Sequence, residues 1–168
     1  GREVIVARNG RPVAKIIPEW KDMGVFAAGQ EGAFMTTRPA RPMQVVDLLR
    51  HTSGLTYDHT GNGPVQQLYQ QSRLRSRKIT NAEHATMIAG MPLICQPGAE
   101  WNYSRSTDVL GRIIEVVSGK SLGAFLTERI LAPLQMAETA FHTPEANAGR
   151  LAEPFATDPW NGDKVQLF

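Results

Sequence analysis

The chain has 168 residues, enough for one domain with a real core and too few for two ordinary ones. Hydrophobic residues at 42% and charged residues at 20% describe an ordinary globular chain, and a net charge of +2 argues against nucleic acid or an anionic membrane as partner. A single cysteine, Cys95, excludes an internal disulfide, and the four histidines show no metal-binding spacing, so neither metal nor cofactor is expected.

Residues 3–17, "EVIVARNGRPVAKII", read as two short apolar strands joined at Asn9-Gly10, a dipeptide that accepts positive φ at both central positions of a tight turn. Residues 18–41 are rich in Gly and Pro and read as loop with one short strand. From Pro42 the period becomes helical. "PMQVVDLLRHTSG" places Val45, Val46, Leu48 and Leu49 on one broad face, with Pro42 suited to the first turn and Gly54 to a left-handed stop. A weaker helix follows over 64–74. "TNAEHATMIAGMP" opens with Thr80 and Glu83 in capping-box spacing and closes before Pro92. After the loop "CQPGAEWNYS", the stretch "STDVLGRIIEVVSG" is amphipathic, with Val109, Leu110, Ile113, Ile114 and Val117 inside and Gly119 at its stop. Ser121 caps "LGAFLTERIL", which ends at Pro133, and the tail from His142 is irregular. The expected core is Leu48, Leu49, Leu110, Ile113, Ile114, Val117, Phe125 and Ile130. No apolar run spans a bilayer and no signal peptide opens the chain, which points to the cytoplasm.

Several blocks occur together in one order: "PEWKDMGVF", "VVDLLRHTSGLTY", "QPGAEWNYS", "DVLGRIIEVVSGKSLGAFLTERILAPLQM" and "ETAFHTP". Together they resemble the serine β-lactamase fold, in particular class C β-lactamases and the esterases called family VIII, over residues 18–168. The resemblance implies a mainly α (α+β) chain: the helical region of that fold, over 18–168, behind a short N-terminal β-hairpin segment, 1–17. It also implies a chemistry. A serine in Ser-x-x-Lys attacks an ester or lactam carbonyl, a lysine and a tyrosine handle its proton, and water releases the acyl group. Tyr103 of "WNYSRS" matches the family tyrosine, and the Trp-x-Tyr form resembles the esterases. Trp101 and Arg105 flank it as candidate substrate-side residues, and Trp101 also reads as a packing residue. Arg105 stands where the family carries asparagine.

The chain contains no Ser-x-x-Lys. The lysine-threonine-glycine-type strand of the family is also missing, and His59-Thr60-Gly61, which copies a variant of it, falls inside the helical region. The implied reading is an incomplete segment of an acyl hydrolase, inactive alone, whose small-molecule ester or lactam substrate belongs to the parent enzyme. A second reading is a non-enzymatic module that forms homo-oligomers or binds a protein through the 1–17 hairpin, a segment that also resembles prevent-host-death antitoxins. A third is a working hydrolase with an unrecognised nucleophile. Ser53, next to His51, is one such nucleophile on paper. Against it, both residues stand where a helix ends, where a histidine answers exposed carbonyls and Ser-Gly makes the turn. No Gly-x-Ser-x-Gly elbow surrounds Ser53.

Overall fold

The computed structural model describes residues 38–152 throughout, and before them the backbone of four short strands. β1 (Ile5–Arg8) and β2 (Arg11–Lys15) pair antiparallel with Arg8 opposite Arg11, the register that a two-residue turn demands. A shift between Val6 and Ala7 marks a bulge. Asn9-Gly10 itself lies outside the described residues. Two further two-residue strands, β3 (Val25–Phe26) and β4 (Thr36–Thr37), pair antiparallel where the sequence suggested one strand.

The rest is helical, in agreement with a mainly α chain. α1 (Val45–Leu49) is shorter than its apolar pattern implies. The Asp47 carboxylate accepts the Gln44 N–H at 2.8 Å, which places the N-terminus at Gln44 and leaves Pro42 outside the helix. At the other end His51 takes a left-handed φ of 56°, so the helix stops before Gly54. With little more than one turn, α1 fully buries only Leu48 of its apolar residues, and Val45 packs at the margin of the core. Leu49, expected in the core, is 64% exposed, and Val46 is exposed with it.

α2 (Pro64–Gln71) starts with proline in its first turn and buries Val65 and Tyr69. α3 (Asn81–Ala89) carries the predicted capping box, Thr80 with Glu83, and buries His84, Ala85, Ile88 and Ala89 on one face. α4 (Ser106–Ser118) ends at Gly119 with φ 69°, the predicted left-handed stop. It is the central element, packing on α1, α3 and α5 (Leu122–Leu126). A Cβ at Gly111 would come within 2.9 Å of the Leu122 side chain, so the missing side chain lets α4 and α5 close on each other.

The core gathers Leu48, Leu55, Val65, Tyr69, Leu74, Ile88, Leu93, Val109 and Ile113, with Leu110 packed at its margin. Ile114 and Phe125 are half-buried. Val117, in the last turn of α4, and Ile130 are exposed, contrary to expectation. The helical path widens over Thr127–Leu131, where the Ala132 N–H reaches back five residues to the Thr127 carbonyl at 2.9 Å. Pro133 follows: it has no N–H and its ring crowds the preceding turn, and a wider turn accommodates it.

Candidate active-site loop

Two loops form the site. The first, residues 51–58, leaves α1; the second, 94–106, enters α4. Three backbone bonds tie them together: Ile94 N–H to the Gly54 carbonyl at 2.9 Å, Gly98 N–H to Thr52 at 2.7 Å, and Asn102 N–H to His51 at 2.8 Å. The fit allows no side chain at Gly54, where φ is 82° and a Cβ would strike the carbonyl oxygen of Cys95. Asp47 braces the same turn from below. It receives both Arg41 guanidinium nitrogens at 2.7 Å and the Thr52 hydroxyl at 3.4 Å. Arg41 holds the Asp47 carboxyl below its ordinary range against the opposing effect of burial.

The second loop carries Tyr103 to the surface, where it is 53% exposed. It stands in a row of rings. His51 lies 4.9 Å from it on one side and Tyr57 5.4 Å on the other. Trp101 meets His51 edge-on at 6.3 Å, and His59 stacks on Tyr57 at 4.9 Å. Trp101 is exposed, so its face is open to a ligand and it is no part of the core. Burial pushes the Tyr57 phenol up, and the neighbouring Asp108 and Tyr103 act in the same direction. Tyr57 therefore keeps its proton, and each loop presents one phenol, Tyr57 half-buried and Tyr103 open.

Arg105, placed by the sequence on the substrate side, points into the body and is only 8% exposed. Its guanidinium donates to Asp58 Oδ1 at 3.1 Å and to His84 Nε2 at 3.1 Å, and lies 5.2 Å from the Tyr57 ring. Arg75 pairs with the other Asp58 oxygen from the surface. Burial pushes the Asp58 carboxyl up, but Arg75 and then Arg105 outweigh it and hold it below the ordinary range. Burial lowers His84, which suits a neutral imidazole accepting from Arg105.

Ser53, Ser104 and Ser106 are fully buried and bonded to one another, so none of them offers a hydroxyl to a substrate in solution. Cys95 is half-buried, and burial raises its thiol, away from reactivity. His59 and Thr60 sit in an exposed turn, with Thr60 Oγ1 bonded to Thr56 Oγ1 at 2.8 Å. Sequence reasoning passed over Tyr57, Asp58 and the Ser104–Ser106 pair. The one signal available was a lone acid in an otherwise uncharged polar stretch, residues 52–63. Among the described residues no group of acids, histidines or cysteines could hold a metal ion, and no helix is long and apolar enough to cross a membrane.

The two loops thus present an exposed phenol flanked by rings and backed by a buried ion pair. A family model described as Beta-lactamase matches residues 8–167, and the chain belongs to that family. Protein Rv1367c of Mycobacterium tuberculosis is 33% identical over 148 residues, covering 88% of this chain and 36% of that protein. Esterase EstB of Burkholderia gladioli is 31% identical, covering 86% of this chain and 34% of that protein. Among solved structures, EstCE1, a hydrolase with promiscuous acyltransferase activity, superposes with a TM-score of 0.60 at 27% identity, over 80% of this chain and 33% of that one. The chain thus spans about a third of the length of these relatives. The family match begins at residue 8 and takes in β2, and nothing in these matches supports the antitoxin likeness of residues 1–17.

Proposed function

We propose that these residues furnish the tyrosine loop of a serine ester hydrolase or acyltransferase, with Tyr103 as the proton-handling phenol and Trp101 as a wall of the acyl or alcohol pocket. The observation that carries this is the exposure of Tyr103 on a loop held by the ladder to residues 51–54. A phenol can pass a proton to and from an attacking serine only where it is both reachable and fixed in place. Arg105 acts from below, through Tyr57, and not by touching the substrate. The similarity to an esterase and to a hydrolase with acyltransferase activity supports an ester over a lactam. The nucleophile is another matter. No Ser-x-x-Lys occurs in these residues, and acting alone they turn over no substrate.

Two assays test this. The purified chain should leave p-nitrophenyl butyrate and a chromogenic cephalosporin at background, and a fluorophosphonate should label none of Ser53, Ser104 and Ser106. Labelling of one serine, abolished by its alanine replacement, would show that the nucleophile lies within the chain. In a chimera with these residues in place of the matched portion of Esterase EstB, Tyr103→Phe should lower kcat/KM about 10²-fold or more, the scale of general acid–base catalysis. An unchanged rate would remove Tyr103 from the chemistry.

A second reading, association of two copies, draws on Ile130, Leu134, Met136 and Phe141, which are all exposed. Light scattering at micromolar concentration decides it: a dimer is expected, and a clean monomer excludes it.

A further inference from the structure

Beneath the backbone ladder, a second set of bonds joins the His51 turn to the Tyr103 loop. Ser53 Oγ lies 2.8 Å from Ser106 Oγ, and Ser106 Oγ lies 2.7 Å from Ser104 Oγ. Ser104 Oγ lies 3.4 Å from His51 Nδ1, and the Ser104 N–H also donates to Nδ1, at 3.2 Å. All three serines are fully buried, so each hydroxyl has one proton to place and no bulk water to receive it. Two backbone groups set the direction of the chain. The Leu55 N–H occupies an acceptor site on Ser53 Oγ at 3.2 Å, and the Ser104 N–H requires Nδ1 to be an acceptor. Run from Ser53 through Ser106 and Ser104 to Nδ1, every proton lands on an acceptor. Run the other way, Nδ1–H would face the Ser104 N–H, and the Ser53 proton would have no acceptor among the described residues.

We propose that His51 is a positioning residue for Tyr103, its Nδ1 kept as an acceptor by the Ser104 N–H and joined by the last hydroxyl of the buried Ser53–Ser106–Ser104 chain, so that the ring proton sits on Nε2. The tautomer is set from inside the protein, by groups that touch no substrate. His51 in turn holds the loop at two points, through Nδ1 to the Ser104 N–H and through its carbonyl to the Asn102 N–H, which bracket Tyr103. Its ring closes one side of the Tyr103 ring at 4.9 Å. The left-handed φ of 56° aims the side chain at the loop, and asparagine is among the few other residues that tolerate such a backbone. An asparagine Oδ1 would also stand close to where Nδ1 stands, as an acceptor without a ring. The functional meaning of this device rests on the role proposed above for Tyr103, but its test requires no turnover.

The test uses the 15N-labelled chain and reads nitrogen shifts and amide exchange. In long-range proton–nitrogen spectra at neutral pH, the resonance lost in His51→Asn should show a protonated Nε2 and an unprotonated Nδ1. Ser106→Ala should keep the Nε2-protonated tautomer, because the Ser104 N–H remains, but shift the Nδ1 resonance as the Ser104 hydroxyl loses its partner, while the core amides of α4 keep their protection. His51→Ala should speed Ser104 amide exchange about fivefold to tenfold, the worth of one hydrogen bond. His51→Asn should hold it within about twofold of the wild type, because the acceptor is restored. Contacts between the Tyr103 and Tyr57 rings should persist in His51→Asn and weaken in His51→Ala. A protonated Nδ1 in the wild type overturns the proposal, as does a His51 signature unmoved by Ser106→Ala. Equal exchange in His51→Asn and His51→Ala also overturns it. Where His51→Ala does not fold, the wild-type tautomer, Ser106→Ala and His51→Asn decide the outcome. A failed tautomer test would leave the Tyr103 role standing, whereas an unchanged rate in the EstB chimera carrying Tyr103→Phe would leave His51 a structural residue only.

Discussion

Residues 38–118 and residues 119–152 are both largely helical, and both have apolar residues at helical spacing, yet only the first closes a core. In the first, Leu48, Tyr69, Ile88, Leu93, Val109 and Ile113 are buried together and two loops are tied beneath the surface by serines and ion pairs. In the second no residue is fully buried, and Leu134, Phe141 and Leu151 stand in the open. An amphipathic period shows that a face is apolar; whether that face finds a partner depends on what lies across from it. For α4, helices α1 and α3 lie across. Ile130 and Leu134 stay exposed, and Phe141, although its ring lies against Gly123 of α5, is still 69% exposed.

Charge burial separates the two regions most sharply. Ile113→Asp places an unpaired carboxylate in the core and should cost about 4 kcal/mol or more, read as a fall in the urea midpoint. Ile130→Asp, on the open face, should stay within about 0.5 kcal/mol. Comparable losses in the two variants would mean that the second region is as enclosed as the first.

Next in size is Asp58→Asn, which keeps the shape but leaves the buried Arg105 cation without its counter-charge, at a cost of about 3 kcal/mol. The same group predicts a pH dependence. Asp58 and Asp47 both titrate below their ordinary range in the folded chain, so the unfolded chain binds more protons as pH falls. Their contribution is complete above the unfolded carboxylate value of about 4 and is lost below it, as pH falls through the folded values. Burial also lowers His84, so the urea midpoint should fall first between about pH 7 and 5, as the unfolded imidazole takes up its proton, and again below about 4, with the second drop shallower in Asp58→Asn. A midpoint level between pH 7 and 5 would show that His84 takes up its proton in the fold as readily as in the unfolded chain.

Two of the left-handed glycines, Gly54 and Gly119, give a finer contrast. Gly54→Ala meets both an unfavourable φ and the Cys95 carbonyl, for about 2–3 kcal/mol, whereas Gly119→Ala has open space around it and loses only about 1 kcal/mol. Thermal melts of the pair measure the difference, and equal melting temperatures would show that the two loops are not in close register. Smallest of all is Tyr103→Phe, which should leave stability within about 0.5 kcal/mol because the phenol is open to water. A large loss there would make Tyr103 a structural residue.

Much of the helical plan was legible. The Thr80–Glu83 box, the Gly119 stop and the Ser121 cap all act locally, and each stands where its residues placed it. The order of blocks singled out Tyr103 as a candidate, and its role is the one proposed above. The shortness of α1 was not, because Asp47 is claimed by Arg41 and Thr52 from outside the helix. Arg105 was misplaced for the same kind of reason. An arginine after a surface tyrosine looks exposed until Asp58, 47 residues earlier in the chain, is found beneath it.

Local chemistry by itself determined the Thr80–Glu83 and Ser121 caps and the Gly119 stop, that the body is mainly α, and that no Ser-x-x-Lys is present, since capping, turn geometry and motifs depend on neighbours along the chain. Tertiary structure decided which apolar residues are covered, that Ser53, Ser104 and Ser106 form one buried chain, and that Arg105 faces inward while Tyr103 faces out. Those outcomes hinge on partners about fifty residues apart meeting across two loops, and a hydroxyl or guanidinium takes its role from the groups it meets there.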